Sequence, residues 1–229
     1  MNIEKLIVKI KNEPEYKITS KISFYETLLI MFDKAKQLFR GFRIKLFVKS
    51  NGLLFVGSRT KLLFKNNISF GKNVIIEDNV YMNAFSEKGI ELGNNVTVSR
   101  DSILICSGVI RRKGIGIKIG NNTGINSRTF LGGQGGITIG DYVIIGPDVK
   151  IFSENHIFDK KDIPIKYQGE GRIGVKIGNN CWIGAGVIIL DGVILESGTV
   201  VAAGSVVNKS FPSNSVIGGI PAKFIKSRL

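Results

Sequence analysis

The chain has 229 residues, of which 43% are hydrophobic, with 28 glycines and only 5 prolines. This balance excludes a disordered or collagen-like chain and favours one folded domain with a short appendage. Two cysteines and a single histidine exclude a disulfide framework and leave almost nothing for an imidazole-based site, so we expect no bound metal.

The formal net charge of +14 is unevenly distributed along the chain. Residues 1–65 carry 14 Lys and Arg against 5 Asp and Glu, whereas residues 66–229 carry 18 against 13. The basic end holds no aromatic–basic platform or DNA-reading motif, so we expect no nucleic-acid partner. An anionic membrane surface, an anionic glycan and a solvated face that only aids solubility remain as interpretations of this charge.

The sequence offers no sign of export or of a membrane span. No apolar run approaches the ~20 residues that cross a bilayer. Met1–Lys11 alternates Ile, Leu and Val with Lys and lacks the apolar core of a signal peptide. We therefore expect a cytoplasmic protein with buried, reduced thiols at Cys106 and Cys181, and peripheral contact with the inner face of the cytoplasmic membrane is a further hypothesis.

An amphipathic helix is predicted within the basic N-terminal segment 1–65. Ser23 and Glu26 have the spacing of a capping box. Apolar residues then recur at three- and four-residue intervals, and Lys and Arg residues occupy the opposite face as far as Lys45. The apolar positions are Leu28, Leu29, Phe32, Ala35, Leu38, Phe39 and Phe42. A basic amphipathic helix of this kind can lie in a membrane interface, or it can pack on the rest of the chain or on a neighbouring subunit.

Residues 66–229 repeat with a period of six, which fits neither a helix face nor one long strand. The clearest run consists of Ile177, Ile183, Ile189, Leu195, Val201 and Val207, with small or β-branched residues four positions later at Cys181, Val187, Val193, Thr199 and Ser205. Broken copies begin at Phe70, Leu92, Ile119 and Ile139. The pattern predicts an all-β solenoid of short parallel strands joined by tight turns.

Four segments interrupt the six-residue rhythm: Asn83–Gly89, Ser107–Gly116, Gly132–Gly136 and Ser153–Gly174. The last is the longest, is polar and carries His156, the only histidine in the chain. A histidine titrates near neutral pH and can move a proton in either direction. Although a lone loop histidine is usually an ordinary surface residue, long loops on a regular scaffold are a common place for chemistry.

The repeat and the position of this loop resemble the hexapeptide-repeat acyltransferases over residues 66–229. In that family the loop with the catalytic histidine follows an Ile-Gly-Pro hexad, here Ile145–Ile151. The resemblance implies a left-handed parallel β-helix with a protruding catalytic loop at 153–174. It also implies a homotrimer in which acetyl-CoA, as co-substrate, binds between adjacent prisms.

The galactoside and maltose acetyltransferase branch is similar in more detail. By position His156 matches its general base, and Asn126 matches an asparagine that contacts the acceptor. Trp182-Ile183-Gly184-Ala185 resembles a motif in which the last backbone N–H, here that of Ala185, faces the thioester oxygen. Either Glu154 or Asp159 is expected to orient His156, and nothing in the sequence selects between them.

The same resemblance implies contacts with coenzyme A further along the chain. Ala203 and Gly204 match a segment that contacts the pantetheine arm, and Lys209 matches a lysine near the phosphates. Lys223 and Lys226 follow a terminal Gly-Ile-Pro-Ala motif and replace phosphate-binding arginines, which keeps the charge but loses the bidentate fork. Each of these residues also has a structural interpretation, as a turn glycine, a corner residue or part of a solvated tail.

The expected acceptor follows from a difference between this chain and the galactoside and maltose acetyltransferase branch. The first 65 residues are basic and resemble the leader of capsule and lipopolysaccharide O-acetyltransferases, whose histidine loop also continues as Pro164–Gly169 does here. We therefore expect acetyl-CoA-dependent O-acetylation of a sugar hydroxyl on a surface polysaccharide or its precursor. N-acetylation of an amino sugar or nucleotide sugar and a non-catalytic β-helix scaffold are the alternatives.

Overall fold

The computed structural model describes residues 3–11, 14 and 17–228. Three α-helices are present in this part of the chain: α1 (Ile3–Lys11), α2 (Phe24–Ile44) and α3 (Ile165–Gln168). One turn of 3₁₀ helix spans Lys65–Asn67. Residues 1 and 2, which begin the predicted segment 1–11, lie outside the described residues. Residue 229, which ends the predicted domain 66–229, also lies outside them.

The rest of the chain consists of short strands. In order, β1–β9 are Lys49–Ser50, Leu54–Val56, Lys61–Leu63, Ile68–Phe70, Val74–Ile76, Tyr81–Asn83, Ile90–Leu92, Thr97–Val98 and Ile103–Ile105. Strands β10–β17 are Ile117–Ile119, Gly124–Ile125, Phe130–Gly132, Ile137–Ile139, Ile144–Ile145, Lys150–Phe152, Asn155–His156 and Glu170–Gly171. Strands β18–β25 are Val175–Ile177, Trp182–Ile183, Ile188–Ile189, Ile194–Leu195, Val200–Val201, Val206–Val207, Ser215–Gly219 and Ala222–Ser227.

Successive strands belong to three different sheets, so the chain winds as a three-sided prism. Sheet one has the order β1-β4-β7-β10-β13-β18-β21, and sheet two runs β2-β5-β8-β11-β14-β19-β22-β24-β25. Sheet three runs β3-β6-β9-β12-β15-β20-β23. All neighbours are parallel except the terminal β24–β25 hairpin, and a separate antiparallel pair joins β16 to β17. This arrangement confirms the predicted solenoid.

The residues that recur every six positions form the interior of the prism. The aliphatic run from Ile177 to Val207 is at most 1% exposed, and the small residues from Cys181 to Ser205 are at most 2% exposed. Each coil therefore adds one layer of apolar side chains to a continuous core, which a single coil cannot bury alone. Burial raises the pKa of the Cys106 thiol to about 11 and also raises the pKa of the Cys181 thiol. Neither thiol is suited to act as a nucleophile at neutral pH.

The corners of the prism explain the recurring Asn and Gly residues. At the first corner, between sheets one and two, left-handed backbone recurs in successive coils at Asn73, Asn95, Asn122, Tyr142, Asn180 and Gly198. At the second corner, between sheets two and three, it recurs at Asn79, Asp101, Arg128, Asp148, Gly186 and Gly204. Asn, Asp and Gly tolerate this conformation best, so the turn requirement repeats once per coil.

All four predicted interruptions lie at the third corner, between sheets three and one. They follow β6, β9, β12 and β15, which are neighbours in sheet three. Because the loops leave at the same place in successive coils, they stack on one another and leave the strand registers intact.

The prism begins before the predicted boundary at residue 66. Strands β1, β2 and β3 pair in parallel with β4, β5 and β6 and so form a first coil over residues 49–63. Leu54–Val56 is apolar at all three positions and shows no alternation in the sequence, and its burial pattern of buried, intermediate and buried residues appears only in the structure. Helix α2 has the predicted capping box, with the Ser23 Oγ accepting from the Glu26 amide and the Glu26 carboxylate accepting from the Ser23 amide.

Helix α2 packs across β2 with a face that was not predicted. Gln37 and Gly41 are its buried residues, and a Cβ on Gly41 would overlap the Leu54 carbonyl. Arg40 donates to Val56 O at 3.2 Å, and Lys45 donates to Gly52 O at 2.7 Å. The helix thus rests on the first coil through Gln37, Gly41 and the partly buried Ile44, while its apolar stripe remains exposed.

Candidate active site

The second corner brings together most of the residues predicted to contact the thioester. Asn126, Gly146, Gly184 and Ala202 occupy equivalent positions in consecutive coils, because Ile125, Ile145, Ile183 and Val201 are in register. Neighbouring strands lie about 4.8 Å apart, so Asn126 and Ala185 are two coils, or roughly 10 Å, apart along one edge. This column therefore holds Asn126 and the Ala185 and Ala203 turns in one line.

The amide of Ala185 is available at this corner. The flanking Gly184 and Gly186 amides donate to Val201 O and Pro147 O, both at 2.9 Å. Ala185 itself is exposed, and its N–H has no acceptor within the described part of the chain. In the preceding coil the equivalent position is Pro147, which has no N–H. An exposed amide held by bonded neighbours is a suitable donor to a developing oxyanion.

Trp182 starts the same turn and points outward from sheet two. Its side chain is 55% exposed, between the Ile144 and Val200 positions of the neighbouring strands. One coil along, Gly204 has a positive φ, and a Cβ built there would meet nothing within 4 Å. The exposed indole and the open space at Gly204 leave this part of the corner accessible from solvent.

The three predicted cations do not share one corner. Lys223 pairs with Gly218 in the β24–β25 hairpin, next to Ala202 and Ser205 of the second corner. Lys226 pairs with Val216 at the opposite end of the hairpin. Lys209 follows β23 at the third corner, where its ammonium lies 5.6 Å from the Phe211 ring centroid. Of these three lysines, Lys223 is paired closest to the Ala203 turn, and strand β24 lies between them.

Asn126 has a defined partner at the second corner. Its side-chain amide donates to Ile145 O at 3.0 Å, which fixes the orientation of the group. The side-chain oxygen of Asn126 is then turned away from that strand and is available as an acceptor. The residue is exposed, so this oxygen can reach a ligand.

His156 lies at the third corner and not in this column. Strand β16 follows directly from β15 and pairs with β17, so that His156 stands opposite Glu170. The breadth of sheet three separates this corner from Ala185, roughly 15–20 Å at about 3.3 Å per residue. A single chain thus holds the imidazole and the Ala185 amide at different corners.

The loop that carries His156 is held by an ion pair that the sequence did not reveal. Arg172 Nε lies 2.5 Å from Glu154 Oε2, and the Arg172 side chain is only 5% exposed. A second nitrogen of the same guanidinium donates to Lys113 O at 2.8 Å. Glu154 is therefore engaged by Arg172, and the structure gives it no contact with His156 among the described residues.

Glu170 is a further residue that the sequence analysis missed. Directly opposite residues of an antiparallel pair project on the same side, so Glu170 is the carboxylate paired with His156 in this ladder. Arg111 lies 3.4 Å from Glu170 Oε1, and Arg112 donates to Glu170 O at 3.2 Å. The signal was absent from the sequence because the β16–β17 pairing joins segments with no repeat pattern.

The Pro164–Gly169 segment packs the loop down. Gln168 donates to Lys160 O and Ile163 O, and its Oε1 accepts from the Lys160 amide. Lys166 and Tyr167 remain exposed on α3. Among the described residues, no cluster of three or more His, Cys, Asp and Glu side chains is suited to a metal ion.

Comparison with known proteins identifies the class of fold. Two family models match: the bacterial transferase hexapeptide (six repeats) over residues 174–209, and the hexapeptide repeat of succinyl-transferase over residues 68–99. The galactoside O-acetyltransferase of Escherichia coli is 35% identical over 49% of this chain and 55% of its own length. A candidate lipopolysaccharide biosynthesis O-acetyl transferase of the same species, WbbJ, is 36% identical over 46% of this chain and 58% of its own.

A solved structure matches over most of the chain. The N-acyltransferase AntD of Bacillus cereus, crystallised with dTDP-4-amino-4,6-dideoxyglucose and coenzyme A, has a TM-score of 0.51 and 23% identity. The match covers 83% of this chain and 89% of AntD. The fold is the left-handed parallel β-helix, and the chain carries the hexapeptide repeat of bacterial transferases at residues 68–99 and 174–209. It spans little more than half the length of the curated relatives it matches.

Proposed function

We propose that the protein is an acetyl-CoA-dependent O-acetyltransferase that modifies a sugar hydroxyl of a surface polysaccharide, either capsule or lipopolysaccharide, or of its precursor. The observation that carries this proposal is the second corner, where the exposed Ala185 amide stands in line with Asn126 and the Ala203 turn. The related O-acetyltransferases support the acetyl group and the sugar acceptor.

Each residue has a role in direct transfer. The thioester supplies the acetyl group when coenzyme A is bound along Trp182, Gly184, Ala203 and Gly204. His156 accepts the proton of the acceptor hydroxyl as its oxygen attacks the thioester carbonyl, and the Ala185 amide stabilises the oxyanion. The carbon–sulfur bond then breaks, and the proton passes from the imidazolium to the leaving thiolate. Asn126 orients the acceptor through the side-chain oxygen that Ile145 leaves available.

The proposed site needs two copies of the chain. His156 and Ala185 lie at different corners, so the loop of one prism would have to face the second corner of the next. A closed ring of three such contacts gives the proposed homotrimer, with coenzyme A between adjacent prisms. Each ring contains three equivalent sites.

Calorimetric titration with acetyl-CoA tests the donor without knowledge of the acceptor. We expect saturable binding at about one site per chain. His156→Ala should bind acetyl-CoA as the wild type does and lose roughly 10²–10⁴ in turnover. Unchanged turnover in His156→Ala, or no binding at millimolar acetyl-CoA, would refute the mechanism and favour a scaffold. A screen of hydroxyl and amino sugars then decides between O- and N-transfer.

A mixing experiment tests the shared site. Ala185→Pro removes the amide donor, and Pro147 shows that the same turn accepts proline. Trimers of His156→Ala or of Ala185→Pro alone should be inactive. Random mixed trimers should regain about a quarter of the active sites if each site joins two chains. No recovery on mixing, with mixed trimers verified by mass, would mean that the site lies within one chain.

A further inference from the structure

Helix α2 presents a continuous apolar face to solvent. Phe39 and Phe42 are 67% and 69% exposed, and Leu46, two residues beyond the end of the helix, is 76% exposed. Further exposed members of the same stripe follow the i, i+3, i+4 spacing towards the N-terminus at Phe24, Leu28, Met31, Phe32 and Leu38. Scattered apolar residues are normal on a surface, but a contiguous stripe of this length indicates an interaction site.

The prism does not supply the cover for this stripe. Gln37 and Gly41 are buried against the first coil, and Ile44 packs on the core beside them. These residues and the Arg40 guanidinium lie on the other side of the helix. Because a Cβ on Gly41 would overlap the Leu54 carbonyl, the helix and the prism are already in their closest packing. The packing of α2 on the first coil therefore leaves its apolar face uncovered.

Cations border the apolar stripe. Lys36 lies 4.1 Å above the Phe32 ring. Arg43 follows Phe42 and is rotated about 100° from it, so it lies on the flank of α2 between the stripe and Arg40. Arg43 also enters a cavity of about 320 Å³ between α2 and the first coil. Arg40, Arg59 and Lys65 line this cavity too, and none of its nine lining residues is acidic. A cation-rich cavity beside an apolar face fits an anionic headgroup next to acyl chains.

We propose that α2 is a membrane-docking surface that lies in the interface of an anionic lipid bilayer, with a lipid phosphate in the cavity lined by Arg40, Arg43, Arg59 and Lys65. A second copy of the chain is a poorer occupant. A symmetric contact would place the basic borders of two helices against each other, and like charges repel. In the described part of the chain no helix is long and apolar enough to cross a bilayer, so the contact is peripheral.

This surface goes beyond the proposed acetyl transfer and does not rest on it. The loop of His156 leaves the fifth coil, four coils from the one that supports α2. Four coil spacings correspond to roughly 20 Å along the prism. A protein docked through α2 would thus hold the proposed site within reach of an acceptor at the membrane surface.

Vesicle flotation of the full chain tests the proposal. We expect the wild type to float with phosphatidylcholine vesicles that contain phosphatidylglycerol, and to do so less without phosphatidylglycerol or at high salt. The Phe39→Glu/Phe42→Glu variant should lose about tenfold or more of its binding, as should Arg43→Glu/Lys65→Glu. Ile110→Glu is the matched control, since Ile110 is 90% exposed and far from α2 in sequence, and it should bind as the wild type does.

Three results would overturn the proposal. The first is absence of wild-type flotation, and the second is unchanged flotation of both α2 variants. The third is a change in oligomeric mass of Phe39→Glu/Phe42→Glu by sedimentation, without loss of vesicle binding, which would assign the stripe to a second copy. Thermal stabilisation by inorganic phosphate with no flotation would likewise assign the cavity to free phosphate. None of these readouts depends on acetyl-CoA.

Discussion

Ala185 and Pro147 show how a single backbone atom distinguishes two otherwise equivalent turns. They occupy the same register position in successive coils, and each precedes a residue with positive φ, Gly186 or Asp148. Pro147 leaves no donor at the surface, whereas Ala185 leaves one exposed amide. A repeated turn can thus acquire a chemical function in one coil without any change of fold.

Lys223 is expected to matter more for coenzyme A than the other predicted cations. Its partner Gly218 lies beside Ala202 and Ser205, whereas Lys226 is at the far end of the hairpin. Lys223→Ala should weaken acetyl-CoA binding roughly tenfold, the cost of one charged hydrogen bond. Lys226→Ala should have a smaller effect. Calorimetric titration with acetyl-CoA checks this order. Lys176→Ala, at an exposed position on sheet one, is the control. Equal losses of affinity in all three variants would contradict the prediction.

Cys106 predicts a pH dependence of stability. Its pKa is raised to about 11 in the folded protein because the thiol is buried, against 9.0 as the ordinary value. The stabilising effect of the neutral thiol is therefore complete below pH 9, and is lost as the pH rises through the folded pKa. The loss should amount to about 3 kcal/mol of unfolding free energy, because one pKa unit corresponds to about 1.4 kcal/mol. Urea titrations between pH 9 and about pH 11 measure the free energy of unfolding, which should decline less steeply with pH in Cys106→Ala than in the wild type. Parallel declines in the two proteins would refute the assignment.

At the scale of elements, the loop 153–174 illustrates how an irregular segment is held on a regular scaffold. Its two ends are joined by the β16–β17 pair, and Arg172 connects Glu154 to the Lys113 carbonyl of the neighbouring loop. The two longest interruptions of the repeat therefore support each other at the third corner. Their stacking follows from the equal position at which each leaves its coil.

Arg172→Met should loosen the His156 loop. The substitution leaves the mostly buried Glu154 carboxylate without its partner, which costs about 3 kcal/mol in comparable pairs. We expect faster tryptic cleavage at Lys160 and Lys161 and a lower kcat with acetyl-CoA binding unchanged. Arg111→Met is the control, because its ion pair is long and Arg111 is exposed, so little should change. Glu154→Leu combined with Arg172→Met should restore resistance, and failure of this rescue would argue against the ion pair as the cause.

At the scale of the whole molecule, the prism is a one-dimensional stack whose ends need protection. Each coil contacts only its neighbours, so an uncovered terminal coil exposes strand edges and apolar layers. Helix α2 crosses β2 at one end, and the antiparallel β25 closes sheet two at the other. The same helix that covers the first coil also carries the proposed docking stripe on its opposite side.

Gly41→Ala should destabilise the covered end. The added methyl group would overlap the Leu54 carbonyl, so the helix must move away from the first coil. Overpacking of this kind costs about 1–3 kcal/mol. Gly124→Ala is the matched control, because a Cβ there meets nothing within 4 Å. Hydrogen exchange should show faster exchange of the β2 amides in Gly41→Ala only, and unchanged rates in that variant would contradict the packing.

The sequence by itself determined the solenoid and most of the second corner. A period of six places one side chain per strand inside, and this local rule acts on every coil alike, so Ile177–Val207 and the α2 capping box were predictable. Asn126, Ala185 and Ala203 could be aligned because each follows a residue of the same register.

Only the tertiary structure decided the contacts between coils and the arrangement of the segments outside the repeat. The separation of His156 from Ala185, the Arg172–Glu154 pair and the opposition of His156 to Glu170 depend on where irregular loops leave the prism. The direction of the apolar face of α2 was likewise undetermined, because amphipathic spacing predicts a face but not its neighbour. Gly41 settled that choice, since only a surface without a Cβ allows the helix backbone to approach the Leu54 carbonyl.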